Sequence, residues 1–265
     1  MSEQDRATEL TPDIVPIAGM RDVSATIQSF TYPLLHFDRR GRPELFASCV
    51  FLEVDGTPYL VTAAHALDGL SSGLMTRGQT HLFDIRGRGG KAKGINGEEF
   101  DIAALAIEQR AVQENTIAIA TPGMLSTAVE VENPNSRAFC GYPVSKNKQA
   151  RALDPVTKTF TARCYTYFGI TDFAANFRQF GKSCDIHLGL NYGPGTDDTG
   201  RELTTPPSPK GVSGGGTWMV PDFKKPQEVL LEGIVIECHR SQFVFSTKIE
   251  CVVAFIRDRV SASRP

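Results

Sequence analysis

The stretch FASCVFLEVDGTPYLVTAAH, residues 46–65, holds two β-prone runs, ASCVFLEV and TPYLVT, on either side of Asp55-Gly56. An Asp-Gly pair between such runs predicts a β-hairpin, and its second strand leads straight into Ala63-Ala64-His65. Downstream, FDIAALAI (residues 100–107) has the composition of a buried strand with one charge, Asp101, at its entrance, and a carboxylate in that place needs a partner. Between the two lies RGRGGKAKGING (residues 86–97), which lacks the G-x-x-x-x-G-K-[ST] pattern of a phosphate-binding loop and reads as a basic, solvated inter-strand loop. FCGYP (residues 139–143) marks a turn that opens a second set of β-prone runs, over 158–167 and 185–190. Residues 191–210 are loop-like, and GVSGGG (residues 211–216) follows at once. Two more apolar runs, 229–236 and 242–245, precede a closing segment, 249–260, with apolar residues at helical spacing.

Composition bounds the reading. The 265 residues are 41% hydrophobic and 22% charged, ordinary usage for one large domain or two small ones, with 24 Gly and 16 Pro scattered as in chains of many short strands. A formal net charge of -2 gives no footprint for nucleic acid or an anionic membrane, and neither is expected as a partner. The start, MSEQDRATELTPDIVPIAGM, shows no basic segment followed by an apolar run, and no apolar run elsewhere approaches the roughly 18 residues of a spanning helix. A cytoplasmic protein is expected, with residues 1–24 a loosely ordered leader. The six cysteines then read as reduced core residues, and no Cys pair has C-x-x-C spacing, so no metal and no cofactor is expected.

Three signatures stand in the order His, Asp, Ser: TAAH ending at His65, FDIAAL around Asp101 and GVSGGG around Ser213. Together they resemble the trypsin/chymotrypsin-like serine peptidase family. The separations, 36 residues from His65 to Asp101 and 112 from Asp101 to Ser213, suit its shorter bacterial members, such as the glutamyl endopeptidases and Deg-type proteases. The resemblance implies an all-β fold of two six-stranded antiparallel β-barrels with a short C-terminal helix. The first barrel would occupy residues 25–125 and the second 126–265. It also implies a catalytic triad of His65, Asp101 and Ser213, with the backbone N–H groups of Gly211 and Ser213 as the oxyanion hole. The pocket for the substrate side chain would be lined by Pro207, Lys210, Ile236, Glu237 and Cys238. The remaining histidines, His36, His81, His187 and His239, sit in no recognisable constellation.

The chemistry explains the combination. A serine hydroxyl is a poor nucleophile near neutral pH until a base takes its proton, and His65 would be that base. Asp101 would orient the imidazole, and the glycines around Ser213 would let backbone amides face the developing oxyanion. Departures from the family pattern are informative. Val212 stands where secreted trypsins have the Asp that pairs with a new N-terminus, and no I-V-G-G sequence occurs, so trypsin-type zymogen activation is not expected. Pro207 replaces the pocket Asp that selects basic residues. Ile236 replaces a serine that helps hold the catalytic Asp, so either Thr62 takes that part or the Asp is less well held. The expected activity is a latent intracellular serine endopeptidase acting on protein or peptide substrates under a protein activator or inhibitor. The rivals are an inactive binding module on the same fold and a serine esterase or acyl hydrolase.

Overall fold

The computed structural model describes residues 17–40, 42–68, 73–78, 81–95, 98–128, 136–147, 161–169, 177–192, 195–196, 202–203, 208–239 and 243–260. A helix, α1 (Ile17–Ser29), precedes strands β1 (Thr31–Phe37), β2 (Pro43–Val54), β3 (Thr57–Ala63), β4 (Met75–Arg77), β5 (Leu82–Asp84), β6 (Gly87–Ile95) and β7 (Glu98–Ile107). These strands pair antiparallel in the order β5-β4-β1-β2-β3-β7-β6. Asp55 and Gly56 turn β2 into β3 with φ of 49° and 75°, the two left-handed positions of a tight hairpin turn. A short helix, α2 (Gln109–Glu114), leads on to β8 (Arg137–Gly141), β9 (Tyr165–Gly169), β10 (His187–Asn191), β11 (Gly195–Thr196), β12 (Glu202–Leu203), β13 (Gly216–Met219), β14 (Leu230–His239) and β15 (Phe243–Lys248). Six of these form a second antiparallel sheet, β10-β15-β14-β13-β8-β9, and β11 pairs with β12 as a separate ribbon. Helix α3 (Ile249–Phe255) closes the described chain and runs on as a π-helical turn, Ile256–Val260.

The chain is therefore mostly β, with two antiparallel sheets and a short C-terminal helix. Three expectations are corrected. The first sheet has seven strands rather than six, because β4 and β5 are three residues each, too short to show an alternation in sequence. Residues 17–24 of the expected loose leader belong to α1, where Val23 and Ile27, four residues apart on one helical face, are fully buried. Residues 87–95 of the Gly-rich stretch read as a basic loop form strand β6, paired with β7 along most of its length. Its glycines permit that approach: a Cβ on Gly87 would stand 2.2 Å from the Ala106 carbonyl oxygen, and one on Gly89 2.4 Å from that of Ala104.

Period-two alternation explains how the sheets pack. From β2, Val50, Leu52 and Val54 point into a core shared with Trp218, Leu231, Ile234 and Phe245 of the second sheet and with Ile249 and Val252 of α3. The alternate residues Ala47, Cys49 and Phe51 join Leu34, Leu60 and Ile107 in a second core on the other face of the first sheet. Both faces of β2 are buried, which is why its sequence reads as an almost unbroken apolar run.

One charged pair lies inside this packing. Arg137 of β8 donates from Nε to Glu232 Oε2 at 2.5 Å and from a terminal nitrogen to Oε1 at 2.7 Å, with both side chains under 10% exposed. Removing either partner breaks a buried ion pair held by two hydrogen bonds. Glu232→Gln is expected to cost about 3–5 kcal/mol of unfolding free energy, measured by urea denaturation. Replacing both residues by apolar ones of similar volume should recover most of that loss.

Candidate active site

Strand pairing brings the first two candidate residues together. β3 ends at Ala63 and the chain enters a single 3₁₀ turn, Ala64–Leu67, that carries His65. Ala63 lies opposite Ile102 on β7, so Asp101 falls beside that turn. Asp101 takes φ of 49°, a left-handed conformation that aspartate tolerates better than most residues, near where the β6–β7 register slips between Ala92 and Gly94. Its side chain reaches back to His65 with both oxygens. Oδ1 accepts the backbone N–H of His65 at 2.9 Å, and Oδ2 lies 2.5 Å from His65 Nδ1. A carboxylate only accepts, so Nδ1 carries the proton and the neutral ring has its lone pair on Nε2. The carboxylate is 6% exposed and the imidazole 47%, so a buried anion orients a ring that opens on solvent.

The second sheet fixes the backbone behind Asp101. Thr247 of β15 donates its hydroxyl to the Phe100 carbonyl at 2.6 Å. Thr62 does not take the part expected of it, because its hydroxyl donates to the Ser48 carbonyl at 2.8 Å. Ile236 lines the same cleft as Asp101.

The third candidate, Ser213, sits on a loop that enters β13 and is held on several sides. The Ser213 carbonyl accepts the Ser48 N–H at 2.9 Å, the Gly214 N–H donates to Val235 O at 2.7 Å, and the Val212 N–H donates to Pro209 O at 2.9 Å. Two further bonds orient the Lys210–Gly211 and Val212–Ser213 peptide units. The Lys210 carbonyl accepts from the Val144 N–H at 2.8 Å and the Val212 carbonyl from the Gly215 N–H at 2.9 Å. In a trans peptide unit C=O and N–H point in opposite directions. The N–H groups of Gly211 and Ser213 are thereby turned away from those carbonyl contacts, and neither donates to another group among the described residues. Gly211 has φ of 96°, and a Cβ there would stand 2.6 Å from the Tyr142 carbonyl oxygen.

Val212 is 3% exposed and packs with Phe139, Tyr167, Leu190, Tyr192, Val235 and Val244. The loop is anchored by this apolar side chain. Gly214, at φ of 87°, admits no side chain: a Cβ would meet Ser48 O and Thr62 Oγ1, each at 2.1 Å. Gly214→Ala is expected to destabilise the chain by about 1–3 kcal/mol from backbone strain alone, read as a lowered melting temperature, and to abolish any chemistry that depends on Ser213.

His65, Asp101 and Ser213 line one cleft of about 540 Å³ together with Lys210, Ile236, Glu237 and Cys238. Of the residues expected to form a substrate pocket, Pro207 lies outside the described residues. Lys93, Ser208 and Pro209 complete the lining, and of these Lys93 was not expected from sequence. Lys93 belongs to the Gly-rich strand β6, where it shares Asp68 with Lys91. Glu237 is contacted on both oxygens: Oε2 meets the fully buried Lys182 ammonium at 2.5 Å, and Oε1 lies 2.8 Å from His239 Nε2. Burial alone would push the Glu237 carboxyl up, but the hydrogen bond and charge of Lys182, with His239 behind them, outweigh it and hold the group below the usual carboxylate range. His239 also packs against Phe180, the rings tilted by 33° with centroids 4.4 Å apart.

All six cysteines are free thiols. Cys140 and Cys164 face each other with sulfurs 3.1 Å apart, and burial, reinforced by Cys140, pushes the Cys164 thiol well above its ordinary value. Among the described residues no group of His, Cys, Asp and Glu is arranged to hold a metal ion, and no helix is long and apolar enough to cross a membrane. Compared with protein-family models and with curated protein sequences, the chain matches neither.

Proposed function

We propose that the chain is a serine endopeptidase of the chymotrypsin-like kind, each sheet forming one β-barrel and His65, Asp101 and Ser213 acting as the catalytic triad in the cleft between them. The observation that carries this reading is the two-point grip of Asp101 on His65, through the backbone N–H and Nδ1, in a cleft that Ser213 also lines. That grip selects the tautomer able to accept a proton at Nε2. Ser213 Oγ attacks the substrate carbonyl carbon as its proton passes to His65, and the new C–O⁻ is met by the N–H groups of Gly211 and Ser213. The C–N bond then breaks, and His65 returns the proton to the leaving amine. A water molecule, deprotonated by His65, hydrolyses the acyl ester and restores Ser213.

The apolar seat of Val212 supports a loop that is ordered without any trypsin-like processing of the N-terminus. The setting proposed is cytoplasmic, where such an enzyme needs an activator or inhibitor. The test is turnover of an unfolded protein substrate beside a nitrophenyl ester. Protein fragments released by the wild type and not by Ser213→Ala are the expected result. Ester turnover without fragments would reassign the site to acyl hydrolysis, and binding without turnover of either would make the fold a recognition module.

A further inference from the structure

Ser48 lies on β2 in the first sheet, fully buried, and every polar atom it has is engaged at the base of the Ser213 loop. Its N–H donates to the Ser213 carbonyl, and its own carbonyl accepts from Thr62. Its hydroxyl does two more things. It donates to the Gly211 carbonyl at 2.8 Å and accepts the Tyr142 N–H at 2.9 Å. The backbone contacts could be made by any residue, but the hydroxyl bridge is specific to serine or threonine.

The bridge ties three segments that are remote in sequence: Ser48, Tyr142 and Gly211. The Gly211 carbonyl belongs to the peptide unit between Gly211 and Val212, and its neighbour toward the N-terminus carries the Gly211 N–H. Fixing one carbonyl through Ser48 and the previous one, Lys210, through Val144 leaves that intervening N–H little freedom to rotate. Gly211 needs such a restraint more than other residues, since glycine at φ of 96° is the most easily turned point of the loop.

We infer that the Ser48 hydroxyl is a positioning residue that holds the Gly211 N–H in the orientation required to stabilise the oxyanion at Ser213. This inference rests on the peptidase reading above. Ser48 touches no reacting atom. It acts through the Gly211 peptide, so its loss is expected to slow bond formation at Ser213 while leaving ligand binding in the cleft and the His65–Asp101 pair as they are.

The test is the kinetics of covalent labelling by an alkyl fluorophosphonate, in which Ser213 Oγ bonds to phosphorus, fluoride leaves and His65 takes the hydroxyl proton. The phosphonyl oxygen occupies the oxyanion position, so the maximal labelling rate reports on the Gly211 N–H. Ser48→Ala is expected to lower that rate about tenfold to a hundredfold, less than the hundred- to thousandfold typical of deleting a donor outright. The reagent concentration at half-maximal rate and the pH at which the rate rises should stay unchanged. Ser48→Gly, which removes the hydroxyl and adds no bulk, should behave alike, and Ser48→Thr should recover most of the rate. Circular dichroism and melting temperature establish that the compared proteins are folded.

A folded Ser48→Ala labelled within twofold of the wild-type rate overturns the inference, as does a folded Ser48→Thr no faster than Ser48→Ala. Absence of labelling in the wild type overturns the peptidase reading itself and this inference with it. A labelled wild type with an equally labelled Ser48→Ala overturns the inference alone.

Discussion

Ser213→Ala is expected to reduce turnover about 10⁵- to 10⁶-fold, the scale on which loss of the nucleophile collapses a triad that acts as a unit. Stability and substrate affinity should hold. The Ser213 loop is fixed by its backbone, through Ser48, Val235 and Pro209, and by the apolar seat of Val212, none of which uses the Ser213 hydroxyl. Alanine keeps that backbone and removes one oxygen. Equal melting temperatures with turnover reduced to background would separate a chemical role from a structural one, and turnover within tenfold of wild type would assign the nucleophile elsewhere.

The second large effect is expected at Asp101. Asp101→Asn keeps the shape but offers one acceptor where the carboxylate offers two. Oδ1 serves the His65 N–H in a nearly buried position, and an asparagine that preserves this bond must turn its NH₂ toward Nδ1. Nδ1 then has to accept, and the ring proton moves to Nε2, where it blocks transfer from Ser213. The expected loss in turnover is about 10⁴-fold with little change in affinity, the scale known for a wrong tautomer in such a triad. The ring nitrogens of His65 followed by ¹⁵N NMR should show the switch directly, with Nδ1 protonated in the wild type and Nε2 protonated in the variant.

The contrast between what sequence reading reached and what it missed follows from range. The Asp55-Gly56 hairpin, the strand entering at Asp101 and the GVSGGG loop are each written in contiguous residues, so turn chemistry and alternation locate them. Pairing of β3 with β7 then supplies the meeting of His65 and Asp101 that no local pattern contains. Ser48 gave no signal, since a lone serine among Ala47 and Cys49 in a strand is ordinary, and its partner Gly211 stands 163 residues away. Lys93 was hidden for another reason. Glycine runs usually mark loops, yet β6 uses its glycines to lie close against β7, and this places Lys93 on the cleft wall. Helix α1 was missed because the acidic, Pro-containing residues before it dominate the composition of the whole segment, whereas its burial depends on Val23 and Ile27 meeting a core built from distant strands.

The central claim, an activated Ser213, is tested most directly by intact-mass analysis of wild type, Ser213→Ala and His65→Ala after exposure to a fluorophosphonate. The account predicts one adduct on the wild type and none on either variant. An unlabelled wild type, or an adduct that persists in Ser213→Ala, would contradict it.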